Sequence, residues 1–598
     1  MRRLACALLA ALALALVARP LLHGEVFTFR DHTDYFQPLR WYTATSLKAG
    51  HLPLWNPYNA SGEPWLANPQ TGVFYPPAWL FVIVPFEAAT MLYLALHLAL
   101  LGCGALLLFA RNHSPGAALI GATALMLCGP ALSLLDVQNN LTTFAWIPLV
   151  LWCAVTRANA MGSAAAIAMS FLAGEPLFAA AGALLFALVR RRDVLDVLNV
   201  GVQSFALAGV QLVPFLALLR GSDRLGGAPD PREVMPLRDW LRVAAPPSLE
   251  STGYDPNLHQ HFVPIVYAGV IVSVLALLGI VFAWRRAGPW LALLAASMLL
   301  AQLPLAFYRY PARFVVFGAL AIVAISVEGW DVAARFWPFA PLAGRRWRVA
   351  PDERRKLPFL FALLVAVAIA AELLAAAKPL LVTAPMPWRR PVPYDGSVGR
   401  SAKIARLGDP ALIALNRRAW ISGYRNLYER RFDAWTAAPV VSRRYADLYE
   451  RAARDRTLSL FSAMSVGYLL APRGNDVAVY LNPNARPLAF PPASVLAFGA
   501  NFIHAQMSLP SPSTMTVTQQ SAEGWSVDVD GRPAMLEGGD FLAVKLAAGA
   551  HDVMFRYRST PLFIGALLTT IALARMLLQK TFVKRWSARK KNFRGAHK

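Results

Sequence analysis

The chain has 598 residues, of which 57% are hydrophobic and only 15% charged, against about 25% charged in an ordinary soluble domain. Its mean hydropathy is +0.43, and many apolar runs reach the roughly 20 residues that cross a bilayer, which marks a polytopic membrane protein and not a soluble domain. The net charge of +24 does not point to nucleic acid, because Lys and Arg gather in short runs between apolar stretches, as the positive-inside rule requires.

The apolar runs are long and Leu/Ala-rich, without the two-residue alternation of barrel strands, so they read as helices. Spans are expected at 4–22, 87–110, 115–135, 141–157, 160–173, 175–190, 195–219, 262–283, 289–306, 312–335, 357–377 and 561–579. The first resembles a signal peptide and is read as a retained first helix, with cleavage as the alternative. Arg2-Arg3, Arg111, Arg157, Arg190 to Arg192, Arg285-Arg286, the run from Arg345 to Lys356 and the tail from Lys584 then share one side. That side is the cytoplasm, with both termini on it. Loops 23–86 and 220–261 and the segment 378–560 face the opposite side. Cys6, Cys103, Cys128 and Cys153 all fall in spans and read as packing residues, not as a disulfide or metal framework.

Three units follow. Residues 1–377 form a transmembrane domain with an outer loop at 23–86. Residues 378–560 form an extracytoplasmic α+β domain, and 561–598 a last helix with a basic cytoplasmic tail. In the second unit, SAKIARLGDPALIALNRRAW and VSRRYADLYERAARD read as helical, while STMTVTQQ, GWSVDVDG, FLAVKLAAG and HDVMFRYRS alternate like strands of a small β-sandwich.

Candidate chemistry concentrates in the outer loop, from Val26 to Pro77. Asp31 and Asp34, at i and i+3, would share a helical face; two acids of a solvated loop are the plainer reading. Downstream come Leu52-Pro53-Leu54-Trp55-Asn56-Pro57-Tyr58, Gly62-Glu63-Pro64, Asn68-Pro69-Gln70 and Phe74-Tyr75-Pro76-Pro77. Proline and glycine make such a stretch rigid and specifically shaped. Amides and aromatic faces are what a sugar needs for hydrogen bonds and stacking.

The order "G-x-L-P-L-W-N-P-Y…G-x-P…N-P-Q…F-Y-P-P" behind an acid after helix one resembles the YfhO family of bacterial membrane proteins, which are GT-C-type glycosyltransferases. Trp146-Ile147-Pro148-Leu149, Gly174-Glu175-Pro176, Tyr310-Pro311-Ala312-Arg313-Phe314, Val466 to Leu470 and Gly524 to Gly531 resemble further signals of that family. The resemblance implies a GT-C-like fold in the bacterial cytoplasmic (inner) membrane. It implies a polyprenyl-phosphate sugar donor and an envelope glycan, polymer or lipid acceptor. By the same resemblance an acid of the first outer loop is the base, Asp31 first and Asp34 second. A phosphate leaves as an anion, so a single carboxylate that deprotonates the acceptor hydroxyl suffices. Asp31 and Asp34 are also the candidates for a divalent cation, Mg or Mn, against the donor phosphate.

Arg313, Arg309 and Arg40 are the candidate phosphate ligands, with interfacial snorkelling as the alternative for Arg313. Trp55, Asn56, Tyr58, Asn68, Gln70 and Tyr75 would bind substrate. Glu175 joins them because an ionisable group at a break between apolar helices is a functional candidate. Asp136, Gln138 and Asn139 sit in a short outer loop. His259 and His261 read as a solvated pair, and His97 as a packed histidine. P-loop, GxSxG and HExxH signatures are lacking. Two other classes compete: a flippase or transporter of lipid-linked saccharides, which calls for internal repeats and mid-bilayer acids, and a non-catalytic envelope scaffold.

Overall fold

The computed structural model describes residues 2–28, 31–222, 224, 234–245, 263, 265–303, 310–335, 353–385, 403–406, 424–428, 430–455, 457–473 and 476–595. Eight of its helices are long and apolar enough to cross a membrane among the described residues. These are Arg2–His23, Phe86–Phe109, Pro115–Ser133, Val194–Arg220, Val270–Leu300, Pro311–Ala333, Phe359–Leu380 and Thr560–Leu578. The chain is a multi-pass membrane protein.

The other expected spans fall on shorter or shared elements. The span at 141–157 is divided between Gln138–Phe144 and Ile147–Thr156. Ala160–Leu172 has 13 residues and Pro176–Val189 has 14, about 20 Å of helix against some 30 Å of hydrocarbon. The spans at 262–283 and 289–306 share the run Val270–Leu300, whose helical backbone breaks at Ala283. Ala276 and Ala287 pack in one cluster with Ile325. On a straight helix they would stand about 16 Å apart, so the run must turn at Ala283.

Pro115–Ser133 and Pro311–Ala333 are completely enclosed and form the centre of the bundle. Around them, Arg2–His23 packs a stripe of Ala5, Leu9, Ala13 and Val17, at the four-residue spacing of one helix face. The last span meets Val194–Arg220 where Gly209 and Gly565 bring the two backbones together, with Thr569 Oγ1 donating to the Ala206 carbonyl at 2.9 Å. Small residues permit that approach in lipid.

On the loop side of the bundle lie three further sheets and one small tie. The tie pairs β1 (Glu25–Phe27) with β2 (Thr383–Pro385), antiparallel. Next come β3 (Lys403–Arg406), β4 (Val466–Arg473) and β5 (Asp476–Leu481), in that order. The expected helix over 401–420 is therefore corrected at 403–406: these residues pair in parallel with β4, and the sheet edge overrides a weak local preference. Most of the rest of that stretch lies outside the described residues. The other expected helix forms as Arg443–Arg454, burying Tyr445, Leu448 and Ala452.

The C-terminal module is a β-sandwich. One sheet has the order β11 (Arg532–Ala534), β10 (Trp525–Val529), β13 (Gly549–Tyr557), β8 (Phe502–Leu509), β7 (Val495–Phe498). The other has β12 (Phe541–Leu546), β9 (Ser513–Gln520), β6 (Ala489–Phe490). All four alternating stretches expected from the sequence are strands. Their inward residues repeat every second position: Ile503, Ala505, Met507 on β8 and Val553, Phe555, Tyr557 on β13.

The same core contains one residue from far away. Trp55 is completely buried among these strands, its ring 5.3 Å from that of Trp525 and 4.8 Å from that of Tyr557. Its Nε1 donates to Gln519 Oε1 at 3.2 Å. Gly62 is required beside it: φ is +94°, and a Cβ would overlap both Gln519 and the Trp55 ring. Trp55→Ala should cost roughly 3–5 kcal/mol and release the module from the bundle. Limited proteolysis of the membrane-inserted protein would then cut between the module and the loop, where the wild type stays intact.

Candidate active site

The loop after the first helix is held at its start by the β1–β2 tie, where Thr383 Oγ1 donates to Glu25 Oε2 at 2.6 Å. It then makes a π-helical turn, His32–Phe36, that runs into the helix Gln37–Lys48. The wider turn sends the two aspartates apart. Asp31 is exposed at the head of the turn. Asp34 is half-buried and paired with Arg425 of the outer segment at 2.6 Å. The expected shared face is therefore corrected, because π-type bonding advances fewer degrees per residue than an α-helix.

Between them His32 turns fully inward. Its backbone N–H donates to Asp136 Oδ1 at 3.2 Å, and Gln138 Nε2 donates to its Nδ1 at 3.0 Å. Burial lowers its pKa to about 4, so the ring is neutral. Among the described residues, His32 Nε2 and Thr33 Oγ1 on this turn, Gln37 Oε1 at the start of the next helix, and Gln138 Oε1, Asn139 Oδ1 and Asn140 Nδ2 on the helix Gln138–Phe144 are buried without a hydrogen-bond partner. Such atoms are rare in folded proteins, and each calls for an explanation by water or ligand. The sequence singled out Asp136, Gln138 and Asn139 as one loop. It did not point to His32, because nothing local tells a buried histidine from a solvated one.

A second polar group lies beside the first. Glu175 sits at the break where Gly174 takes φ +110°. Its Oε1 accepts from Arg313 at 3.0 Å and its Oε2 from Asn139 Nδ2 at 3.0 Å. Both charges are buried, and Arg313 also lies 5.4 Å from the centroid of the Tyr310 ring. Arg313 is thus neutralised within the protein. Arg40 is buried as well, with Nη1 on the Thr71 carbonyl at 2.6 Å and Nη2 on the Tyr93 hydroxyl at 3.3 Å. Arg309, His259 and His261 lie outside the described residues.

The second half of the loop takes a different role from the one expected. Trp55 and Asn56 are fully buried and Tyr58 nearly so, and their polar atoms serve the protein itself. Asn56 Nδ2 donates to Glu63 Oε1 at 2.9 Å. Tyr58 packs on Phe432 at 5.2 Å. Tyr75 is buried, with its hydroxyl 2.6 Å from His97 Nε2 and accepting from Trp146 Nε1 at 2.9 Å, so His97 is a packed histidine. Asn68 caps the short turn Pro69–Thr71 and donates to Tyr35, while Gln70 accepts from the Tyr35 hydroxyl at 2.7 Å. Of the expected sugar ligands, Gln70 and Asn68 adjoin the Asp34 turn. Trp55, Asn56, Tyr58 and Tyr75 are spent on packing.

What covers this half is the outer segment. Tyr424 stacks on Tyr35 at 5.1 Å and leans on Trp65 at 5.6 Å. Its N–H donates to the Asp34 carbonyl at 2.7 Å and its hydroxyl to Glu63 Oε1 at 2.9 Å. Thr436 Oγ1 donates to Glu63 Oε2 at 2.7 Å. Among the described residues Glu63 is held by neutral donors, and burial raises its pKa.

No cluster of three His, Cys, Asp or Glu side chains fit to hold a metal occurs among the described residues. No protein-family model matches the chain, and no curated protein matches it. Among solved structures, the oligosaccharyltransferase of Archaeoglobus fulgidus, determined with zinc and sulfate, aligns with 78% of this chain and 67% of its own. The identity is 15% and the TM-score 0.39, too distant a likeness to assign a fold or a chemistry.

Two outcomes follow from the charges. Removing one partner of the Glu175–Arg313 pair strands a buried charge, so Arg313→Met should destabilise by roughly 3–5 kcal/mol, and Glu175→Gln in the same chain should restore most of the loss in thermal unfolding. Glu63 supplies the opposite of an acid-sensitive carboxylate. A carboxyl whose pKa is raised on folding stabilises fully below the unfolded value and loses that contribution as pH rises through the folded value. Glu63→Gln should therefore match the wild type in acid and exceed its melting temperature increasingly towards neutral pH. Parallel pH dependence of the two proteins would contradict this.

Proposed function

We propose that the chain is a membrane glycosyltransferase of the GT-C type, similar to the YfhO family. It moves a sugar from a polyprenyl-phosphate donor to an envelope glycan, polymer or lipid. The site opens on the extracytoplasmic face of the bacterial inner membrane, and the segment 378–560 stands on that side. The observation that carries the reading is the juxtaposition at the π-helical turn: an exposed carboxylate, Asp31, adjoins a buried set of neutral hydroxyl, amide and imidazole atoms without protein partners. Neutral donors and acceptors of that kind suit sugar hydroxyls.

In this reading Asp31 takes the proton of the acceptor hydroxyl. Asp34 is the lesser candidate, since Arg425 holds it; it serves to fix that arginine beside the site. The leaving phosphate needs a cation. Arg425, which already pairs with Asp34, is one candidate, and Arg313 would have to exchange Glu175 for phosphate. The scaffold reading draws on one observation of its own, the complete use of Trp55 and Asn56 in holding the module.

The test is a comparison of envelope glycans between wild type, a deletion strain, and the deletion complemented with Asp31→Asn or Asp34→Asn at matched protein levels. Loss of the base should lower transfer by about 10²–10⁴-fold in Asp31→Asn, with a smaller loss in Asp34→Asn. Full restoration of the missing glycan by Asp31→Asn would refute the assignment, and an unchanged glycan profile in the deletion strain would favour the scaffold.

A further inference from the structure

We infer that the cavity where the β-sandwich meets the last span binds the phosphate of a membrane lipid headgroup. The cavity has a volume of about 350 Å³ and is lined by Asn501, Phe502, Met554, Arg556, Tyr557 and Arg558, a size suited to a small ligand group. It lies at the foot of one sheet face. Phe502 and Arg556 face each other across β8 and β13, and Met554, two positions along, shares their side of the sheet.

Charge decides what the cavity takes. The Arg556 guanidinium is paired with Asp528 across the sheet. Asn501 is spent on the loop, its amide donating to the Leu52 carbonyl at 2.8 Å and accepting from the Leu54 N–H at 2.9 Å. Tyr557 packs its ring against Trp55 and Trp525. Arg558 alone remains: its backbone N–H bonds to the Gly524 carbonyl, its side chain is exposed, and no carboxylate of the described residues pairs with it. An arginine fork with no carboxylate partner among the described residues, beside an apolar wall of Phe502 and Met554, favours an anion carried on an apolar body over a neutral sugar.

Position makes that anion a lipid. Arg558 stands two residues before the helix Thr560–Gly595, whose first turns are the apolar span Thr560–Leu578. Phe563 on the first turn is 73% exposed, as an interfacial aromatic should be. The cavity therefore opens at headgroup level, on the leaflet that the β-sandwich faces. Its wall residue Asn501 also pins Leu52 and Leu54, so a bound lipid would brace the start of the Trp55 anchor. This inference is independent of the glycosyltransferase reading.

The test uses the full-length protein in nanodiscs with and without phosphatidylglycerol, read by native mass spectrometry of retained lipid and by thermal unfolding. Phosphatidylglycerol should be retained and should raise the melting temperature. Retention should fall by about tenfold or more in Arg558→Ala and also in Met554→Trp, which fills the cavity and keeps the arginine. Lys378→Ala, a basic residue at the same interface, should retain lipid like the wild type. Equal retention by both cavity variants would overturn the proposal, as would an equal loss in Lys378→Ala, which would indicate general attraction of lipid to basic residues. Stabilisation by inorganic phosphate matching that by the lipid would likewise overturn it in favour of a free-phosphate site.

Discussion

The structure depends on one interface that crosses most of the chain. Trp55, in the loop after the first helix, completes the core of a β-sandwich, and its indole donates to Gln519, 464 residues further on. Tyr424 makes the reciprocal insertion, entering between Tyr35 and Trp65 and reaching Glu63 with its hydroxyl. These two aromatic insertions lock the membrane bundle, the loop and the module together. Aromatic rings suit the task because each buries a large area with few rotatable bonds. Between them lie Asn56, Asn59, Glu63 and Asn426, all buried and hydrogen-bonded. Such a network specifies one arrangement of the parts, since any shift would leave buried polar atoms unpaired.

That arrangement sorts the charges near the candidate site. Glu175 neutralises Arg313, and Asp34 neutralises Arg425. Arg40 is held by a carbonyl and a tyrosine hydroxyl, beside Gly72, where any side chain would collide with the guanidinium. Asp31 is exposed at the head of the turn. Beneath it the imidazole of His32 is kept neutral by burial. The site thus combines an accessible carboxylate with neutral polar atoms, and an incoming anion would have to displace Glu175 from Arg313 or Asp34 from Arg425.

Much of this was legible in the sequence, for identifiable reasons. The longest hydropathy runs mark the principal spans, while the short runs between 138 and 189 and the break at Ala283 blur their count. Strict alternation in STMTVTQQ and HDVMFRYRS reflects one buried and one wet sheet face, and both are strands. The prolines and glycines between Val26 and Pro77 mark a shaped rather than a slack loop, and Asn56 and Asn68 are buried and hydrogen-bonded within it. The sequence could not say whether its aromatics faced a ligand or the protein: Trp55 and Tyr58 have the same composition in either role, and only the distant strands and Phe432 decide it. The separation of Asp31 from Asp34 was hidden because a π-helical turn has no local signature. Nor does any residue spacing reveal that Glu175 and Arg313, 138 residues apart, form a pair.

The central claim is that Asp31 is the base of a sugar transfer from a lipid phosphate. It is tested most directly with purified protein in nanodiscs, supplied with a polyprenyl-phosphate hexose and an envelope glycan extract, by measuring release of polyprenyl phosphate. The account predicts release that requires the extract and disappears in Asp31→Asn while the folded protein remains. Release that persists undiminished in Asp31→Asn would contradict it.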